Sequence, residues 1–319
     1  MDTVIIDGLS FALPLFIMAI GGIYSEKSGI TNLAIEGFQG FGAFIGALSV
    51  VLIANFSGTD VQNLFYLALL FSMIGGMVFS VLHALLSIKF KANQVISGVV
   101  INILALALTT FLTTQINSLV FGATSDKFQL GVSERFTIEG LANIPVIGAV
   151  FTNIYPFEII IIVIAVLAWY VLYKTKYGMR LRASGDNPHS VDAAGVDVAK
   201  IRFGAVLISG VLSGLGGMCF AYSISANFSS SIYMGYGYLA IAALIFGNWK
   251  ILPTLAACLL FGFARSGGTY IGQLMELPSS YTDLFMILPY VLTLFLLIFF
   301  SKSNRAPRAL GEIYDKGKR

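Results

Sequence analysis

The sequence predicts an all-α polytopic membrane protein of about 8–10 transmembrane helices, with a short helix on its cytoplasmic side. Three observations carry this. Of 319 residues, 57% are hydrophobic and only 11% are charged, whereas a soluble domain carries about 25% charged residues. No soluble core needs this much apolar surface, so the solvent is lipid. Second, apolar runs recur near the roughly 20 residues that cross a hydrocarbon core. Third, sixteen of the nineteen Lys and Arg residues fall on one side of the loops that those runs define.

The spans are expected at 4–23, 31–54, 64–88, 95–115, 156–173, 203–226, 236–248, 251–272 and 284–301. The seventh is short for a crossing and reads as a re-entrant or broken helix, tolerated only where protein or a water-filled cavity surrounds it. The N-terminal MDTVIIDG lacks a basic region, so the first run reads as a retained span and not a cleaved signal. With nine spans, only Lys127 and Arg135 face the side opposite the sixteen cations, and Arg265 lies within a span. Basic loops stay inside, which puts the N-terminus outside and the C-terminus in the cytoplasm. The chain then divides into a transmembrane domain, 1–301, with a polar cytoplasmic stretch at 174–202, and a basic cytoplasmic tail, 302–319.

Ionisable and polar groups within the spans are functional suspects by default. Glu36 follows Asn32 by one helical turn. The pair either organises the turn through Ser25 or Ser28, or Glu36 touches a polar substrate. His83, near the inner end of the third span, reads as a capping or packing residue, with a proton relay as the alternative. Arg265 either makes an interhelical salt bridge, binds carbonyls of a helix ending near Gly267, or lines a pathway. The segment Glu36-Gly37-Phe38-Gln39-Gly40-Phe41-Gly42 suggests a broken or closely packed helix, and broken helices line transport pathways. Gln39 and Asn102 are pathway candidates, with interhelical hydrogen bonds as the alternative. Gly210, Gly214 and Gly217, with Ser209 and Ser213, give the sixth span the small side chains through which membrane helices approach closely. Packing within this chain is expected, with packing against a second chain as the alternative.

Two segments are expected to face outside, Ile116 to Tyr155 and Ser225 to Tyr238. Phe228 or Tyr236 could stack on a nucleobase, an interaction worth about 1–3 kcal/mol in nucleic-acid proteins. An interfacial aromatic belt explains the same residues.

The stretch RLRASGDNPHSVDAAGVDVAKIRF, from Arg180 to Phe203, departs from its apolar surroundings. Asn187 is a good N-cap, and Pro188 suits the first helical position, where a missing N–H costs nothing. Gly195 supplies a left-handed C-terminal cap. About two turns of soluble helix result. Either this is a solvated loop, or it is a stiff helix that docks on a cytosolic partner.

The longer stretch GMRLRASGDNPHSVDAAGVDVAKIRFGAVLISGVLSGLGG resembles the cytoplasmic coupling region of permease subunits in bacterial ABC importers. The resemblance is to the branch handling simple sugars, nucleosides and branched-chain amino acids. SEKSGITNLAIEGFQGFGAF, GYGYLAIAALIFGNWKILPTLAACLLFGF and RSGGTYIGQLMELPSSYTDLFMILPYVLTL agree in order. Ser25-Glu26-Lys27-Ser28-Gly29 is most similar to nucleoside permeases that work with basic-membrane-protein-type lipoproteins. His189 and Ser190 depart from the small or basic residues common in the family.

The resemblance implies a multi-pass permease of the bacterial cell membrane. Arg182, Asn187, Pro188, Ala193, Ala194 and Gly195 would then couple it to an ATPase cleft. It implies ABC ATPase subunits, a second permease subunit, identical or different, and an extracytoplasmic substrate-binding lipoprotein as partners. Nucleosides are the implied substrate, with a simple sugar as the alternative. A gradient-driven secondary transporter needs neither a coupling helix nor an ATPase.

No G-x-x-x-x-G-K-[ST] occurs, so ATP hydrolysis is expected on a separate subunit and not on this chain. Neither H-E-x-x-H, C-x-x-C nor G-x-S-x-G is present. Cys219 and Cys258 lie in apolar runs, which argues against a disulfide framework and a metal cluster. No cofactor or nucleic-acid partner is expected.

Overall fold

The computed structural model describes residues 2–145, 147–276, 278, 285, 287–300 and 305–316. Residues 284, 286 and 301 of the ninth expected span lie outside them, as do the tail cations Lys302, Lys318 and Arg319. The long helices are α1 (Asp2–Lys27), α2 (Ile35–Ser57), α3 (Phe65–Ala84), α4 (Gln94–Phe121), α6 (Pro156–Lys174), α9 (Val198–Phe220) and α11 (Ile251–Leu274). Shorter helices are α5 (Glu139–Ala142), α7 (Lys176–Asp186), α8 (Pro188–Ala193), α10 (Tyr236–Phe246) and α12 (Leu288–Phe300). A 3-10 turn at Val61–Leu64 leads into α3, and π turns at Leu85–Lys89 and Ala221–Ser225 extend α3 and α9.

Seven of these units are long and apolar enough to cross a membrane. The sequence expectation of an all-α polytopic protein is met. α1 and α9 form the centre, with 72% of their apolar windows buried, against 28% for α4 and α6. The outward faces of α4 and α6 present Val99, Ile103, Phe111, Ile162 and Val166, the surface that lipid tails wet without penalty.

Small residues set the centre. A side chain on Gly76 of α3 would strike the Gly210 carbonyl of α9, and one on Gly42 of α2 would strike Gly214 of α9. Gly217 lies against Gln39. The small residues of the sixth span therefore pack inside this chain, as expected, and bring α2, α3 and α9 to backbone contact. α2 is continuous from Ile35 to Ser57. Of the two readings of its glycines, close packing holds and a broken helix does not.

Two features were absent from the sequence reading. A two-stranded antiparallel ribbon pairs β1 (Lys127–Gln129) with β2 (Asn227–Ser229), placing Phe128 opposite Phe228. Helix α7 occupies residues that read as loop, and its Thr175 cap accepts from the Gly178 N–H at 3.2 Å.

Candidate functional site

Two sites lie at opposite ends of α1. One surrounds α8, near residues 27–31; the other surrounds residues 7–11. A helix rises 1.5 Å per residue, so they are about 30 Å apart.

At the first, Asn187 leaves α7 with extended backbone (φ −152°, ψ 90°) and its Oδ1 accepts from the Ser190 N–H at 3.0 Å. Pro188 opens α8 and is buried, as is Val191. Gly195 follows the last turn at φ +80°, the left-handed region where β-branched residues are strained. Its N–H donates to the Asp192 carbonyl at 2.9 Å, and Val196 N–H to the Val191 carbonyl at 3.2 Å. Asp197 then caps α9 by accepting from the Lys200 N–H at 3.1 Å. That bond is the main reason its carboxyl is held below the usual carboxylate range. The result is a short, doubly capped helix.

Its base is fastened to the bundle. Ser184 of α7 donates to the Ser28 carbonyl at 3.0 Å. Gly185 lies against the Lys27 carbonyl with no room for a side chain. The outer face is free: Ala193, Ala194 and Gly195 are exposed, and a Cβ on Gly195 would meet nothing within 4 Å. Arg182 does not share this face. Its Nε donates to the Gly178 carbonyl at 3.3 Å, and its guanidinium lies 5.3 Å from the centre of the Tyr173 ring.

The second site is a cavity of about 240 Å³ bounded by α1, α11, the end of α9 and Tyr155. Arg265 reaches in over the Phe11 ring, 4.6 Å from its centre. Among the described residues the guanidinium has no ion pair or hydrogen bond. Asp7, Ser10, Ser223 and Thr269 line the same space, and the buried Ser223 Oγ has no partner in the structure. One cation, Arg265, and one carboxylate, Asp7, thus border a pocket with an aromatic floor, while the Ser10 and Thr269 hydroxyls donate within the protein, to Glu158 and to the Arg265 carbonyl. Burial at Tyr155 pushes its hydroxyl upward in pKa, although Arg135 donates to it.

The remaining candidates divide. Tyr236 packs edge-on against Phe11 at 5.2 Å and lies tilted against Phe220 at 4.8 Å, which ties it to the cavity floor. Glu36 does not bond Ser25 or Ser28. Its Oε2 accepts from the Gly235 N–H at 2.9 Å, at the start of α10. Asn32 instead donates to Ser209 Oγ at 2.8 Å. Asn102 is an interhelical clamp: its Oδ1 accepts from Gly37 N–H at 2.8 Å, and its Nδ2 donates to the Leu33 carbonyl at 2.8 Å and to the Tyr238 hydroxyl at 3.0 Å. Phe228 is fully buried against Phe44, Phe128 and Tyr233 and offers no face to a ligand. Gln39 is also fully buried, yet neither of its amide atoms has a partner. His83 packs between Ser97 Oγ at 2.9 Å and the Thr31 carbonyl at 3.3 Å.

Sequence reasoning missed Asp7, Ser10, Ser223 and Thr269. Asp7 and Ser10 sit three residues apart on one helix face, a usable signal. Ser223 and Thr269 carried none, because separate helices bring them together.

A family model described as branched-chain amino acid transport system / permease component matches residues 4–297. The chain is 39% identical to the guanosine ABC transporter permease protein NupQ of Bacillus subtilis (strain 168), over 98% of this chain and 96% of that protein. It is 37% identical to the nucleoside ABC transporter permease protein NupC of Lactococcus lactis subsp. cremoris (strain MG1363), over 100% of this chain and 98% of that protein. To the guanosine ABC transporter permease protein NupP of Bacillus subtilis (strain 168) it is 24% identical, over 95% and 82%. No solved structure matches.

Proposed function

The chain belongs to the family of branched-chain amino acid transport system permease components, and from that premise we propose that it is the translocation subunit of an ATP-driven nucleoside importer. Identity of 37–39% to two nucleoside permeases over nearly the whole of both chains is the observation that carries this. The protein is a multi-pass membrane protein. In this reading α8 seats in the cleft of a partner ATPase through Ala193, Ala194 and Gly195. Asn187 and Gly195 hold its ends, so that a push on the helix moves the bundle without first bending a loop. Arg182 acts from behind, bracing α7 on α6.

The cavity holding Arg265 is the entry of the pathway, at the end of the bundle away from α8. A guanidinium donates to ring nitrogens and carbonyls, and a carboxylate accepts from ring N–H and amino groups, so Arg265 and Asp7 complement a nucleobase edge. Glu36, Gln39 and Tyr236 lie on the route from that cavity inward, with Asn102 holding the wall behind them. A second permease chain completes the pathway. That Bacillus subtilis has two differing guanosine permease proteins, NupQ and NupP, favours a different chain over a second copy. Two ATPase subunits and a substrate-binding lipoprotein complete the importer, which lies with its N-terminus outside.

The test is uptake of labelled guanosine into proteoliposomes holding all subunits. Uptake is expected to require ATP, to resist ionophores and to be blocked by excess unlabelled guanosine but not by ribose. Competition by ribose would favour the sugar reading. Ionophore-sensitive uptake without ATP would make the protein a secondary transporter.

A further inference from the structure

Residues 305–316 do not trail away from the bundle. The Ala309 N–H donates to the Gly185 carbonyl of α7 at 2.8 Å, and the Gly311 N–H donates to the Gly29 carbonyl at 3.1 Å. The Ala309 side chain is buried. Arg202, in the first turn of α9 and itself only 2% exposed, donates to the Glu312 carbonyl at 3.1 Å and to the Ser184 carbonyl at 3.4 Å. The Tyr314 ring meets His189 of α8 at 5.2 Å. Lys91 pairs with Asp315 at 2.9 Å and Lys316 with Asp192 at 3.4 Å. The Arg305 N–H donates to Asn248 Oδ1 at 2.8 Å. The segment thus touches the turns after α1, α3 and α10 as well as α7 and α8.

The strength of the attachment lies in the backbone bonds and in Arg202. The two ion pairs are half-exposed, and such pairs contribute little each. They have another consequence. The Lys316–Asp192 pair, with Tyr314 on His189, sets the segment directly beside α8. Exposed on the two sides of that contact are Ala193, Ala194 and Gly195 at the end of α8 and Ile313 of the segment, which is 50% exposed. A groove of about 420 Å³ between α8 and the segment runs from Gly195 and Asp197 to Tyr314 and Lys316, with the paired Lys91, Asp315 and Asp192 in its lining. An exposed isoleucine beside small residues and a groove is the composition of a protein contact, where an apolar anchor meets a close-fitting wall.

We propose that the segment 305–316 forms the second wall of the ATPase-docking surface, so that the ATPase engages α8 and Ile313 together. This rests on the reading of α8 as the coupling helix. A load on the segment reaches α1 through Gly29, α4 through Lys91 and α11 through Asn248, none of which α8 touches through a hydrogen bond or ion pair of its own among the described residues. The ATPase stroke is thereby shared among several helices instead of passing through α7 and α9 alone.

The experiment places a benzophenone photocrosslinker at Ile313, at Ala193 or at the lipid-facing Ile103, in membranes containing the assembled transporter. Capture of the ATPase subunit from both Ile313 and Ala193, and not from Ile103, is the expected result. Capture from Ala193 alone overturns the proposal and leaves the coupling-helix reading standing. Capture from neither overturns both. The variant Ile313→Asp supplies a second readout, because the residue is exposed and its replacement spares the core. It is expected to lower binding-protein-stimulated ATP hydrolysis about tenfold, as a charge driven into a contact does, with membrane abundance unchanged. Stimulated hydrolysis at the wild-type rate in Ile313→Asp, alongside its loss in Ala194→Asp, would also overturn the proposal.

Discussion

Gln39 and Asn102 were indistinguishable as sequence, two amides in apolar helices, yet they predict opposite outcomes. Asn102 satisfies Gly37 N–H and the Leu33 carbonyl, and leaving such groups bare costs about 1–3 kcal/mol each. Asn102→Leu is expected to lower the melting temperature of the purified protein by several degrees. Gln39 spends burial on an amide with no partner, so Gln39→Leu is expected to hold or raise the melting temperature while cutting guanosine uptake. A fall in stability with normal uptake would return Gln39 to a packing role. Local chemistry was legible here and distant chemistry was not. Asn187 and Gly195 could be read as caps because their partners lie within three residues. Glu36 could not be assigned, since the N–H it accepts from belongs to Gly235, 199 residues away. Phe228 looked exposed in a serine-rich loop, and only its pairing with β1 explains its burial.

At the scale of elements, hydropathy located the helices because lipid leaves little choice: every backbone group must bond within its own segment. Among the described residues the expected runs match the observed helices, with ends shifted by several residues, as at 198–202, where polar residues continue α9. α7 escaped notice because it is polar and lies outside lipid, where hydropathy carries no signal. The glycines of α2 carried two readings, since a glycine permits both a break and a close approach. Its partners decide between them: the Ile101 carbonyl of α4 faces Gly37, the Tyr233 ring faces Gly40, and backbone atoms of α3 and α9 face Gly42. Gly76→Val is therefore expected to push α3 from α9. Overpacking of this kind costs about 1–3 kcal/mol and sometimes more. The expected outcome is reduced folded protein in the membrane, measured by size-exclusion chromatography in detergent. Exposed Gly140→Val, which meets nothing within 4 Å and has no left-handed backbone to strain, is the comparison and is expected to cause a smaller loss. An equal loss in both would remove close packing as the cause.

For the whole molecule, the proposed orientation rests on the cationic asymmetry, and the proposed roles of both sites depend on it. A single cysteine at exposed His189 is expected to resist impermeant thiol reagents in intact cells, and one at exposed Thr124 is expected to react. The reverse pattern would put α8 out of reach of ATP. The central claim is that a push on α8 and the opening of the distant cavity belong to one motion. Binding-protein-stimulated ATP hydrolysis by the assembled transporter measures this most directly, compared between wild type and Gly195→Val. The substitution strains a residue at φ +80° and adds bulk to the docking face, at a cost of about 1 kcal/mol that leaves the bundle folded. The account predicts normal membrane abundance, basal hydrolysis and no stimulation by nucleoside-loaded binding protein. Full stimulation in Gly195→Val, at normal abundance, would contradict it.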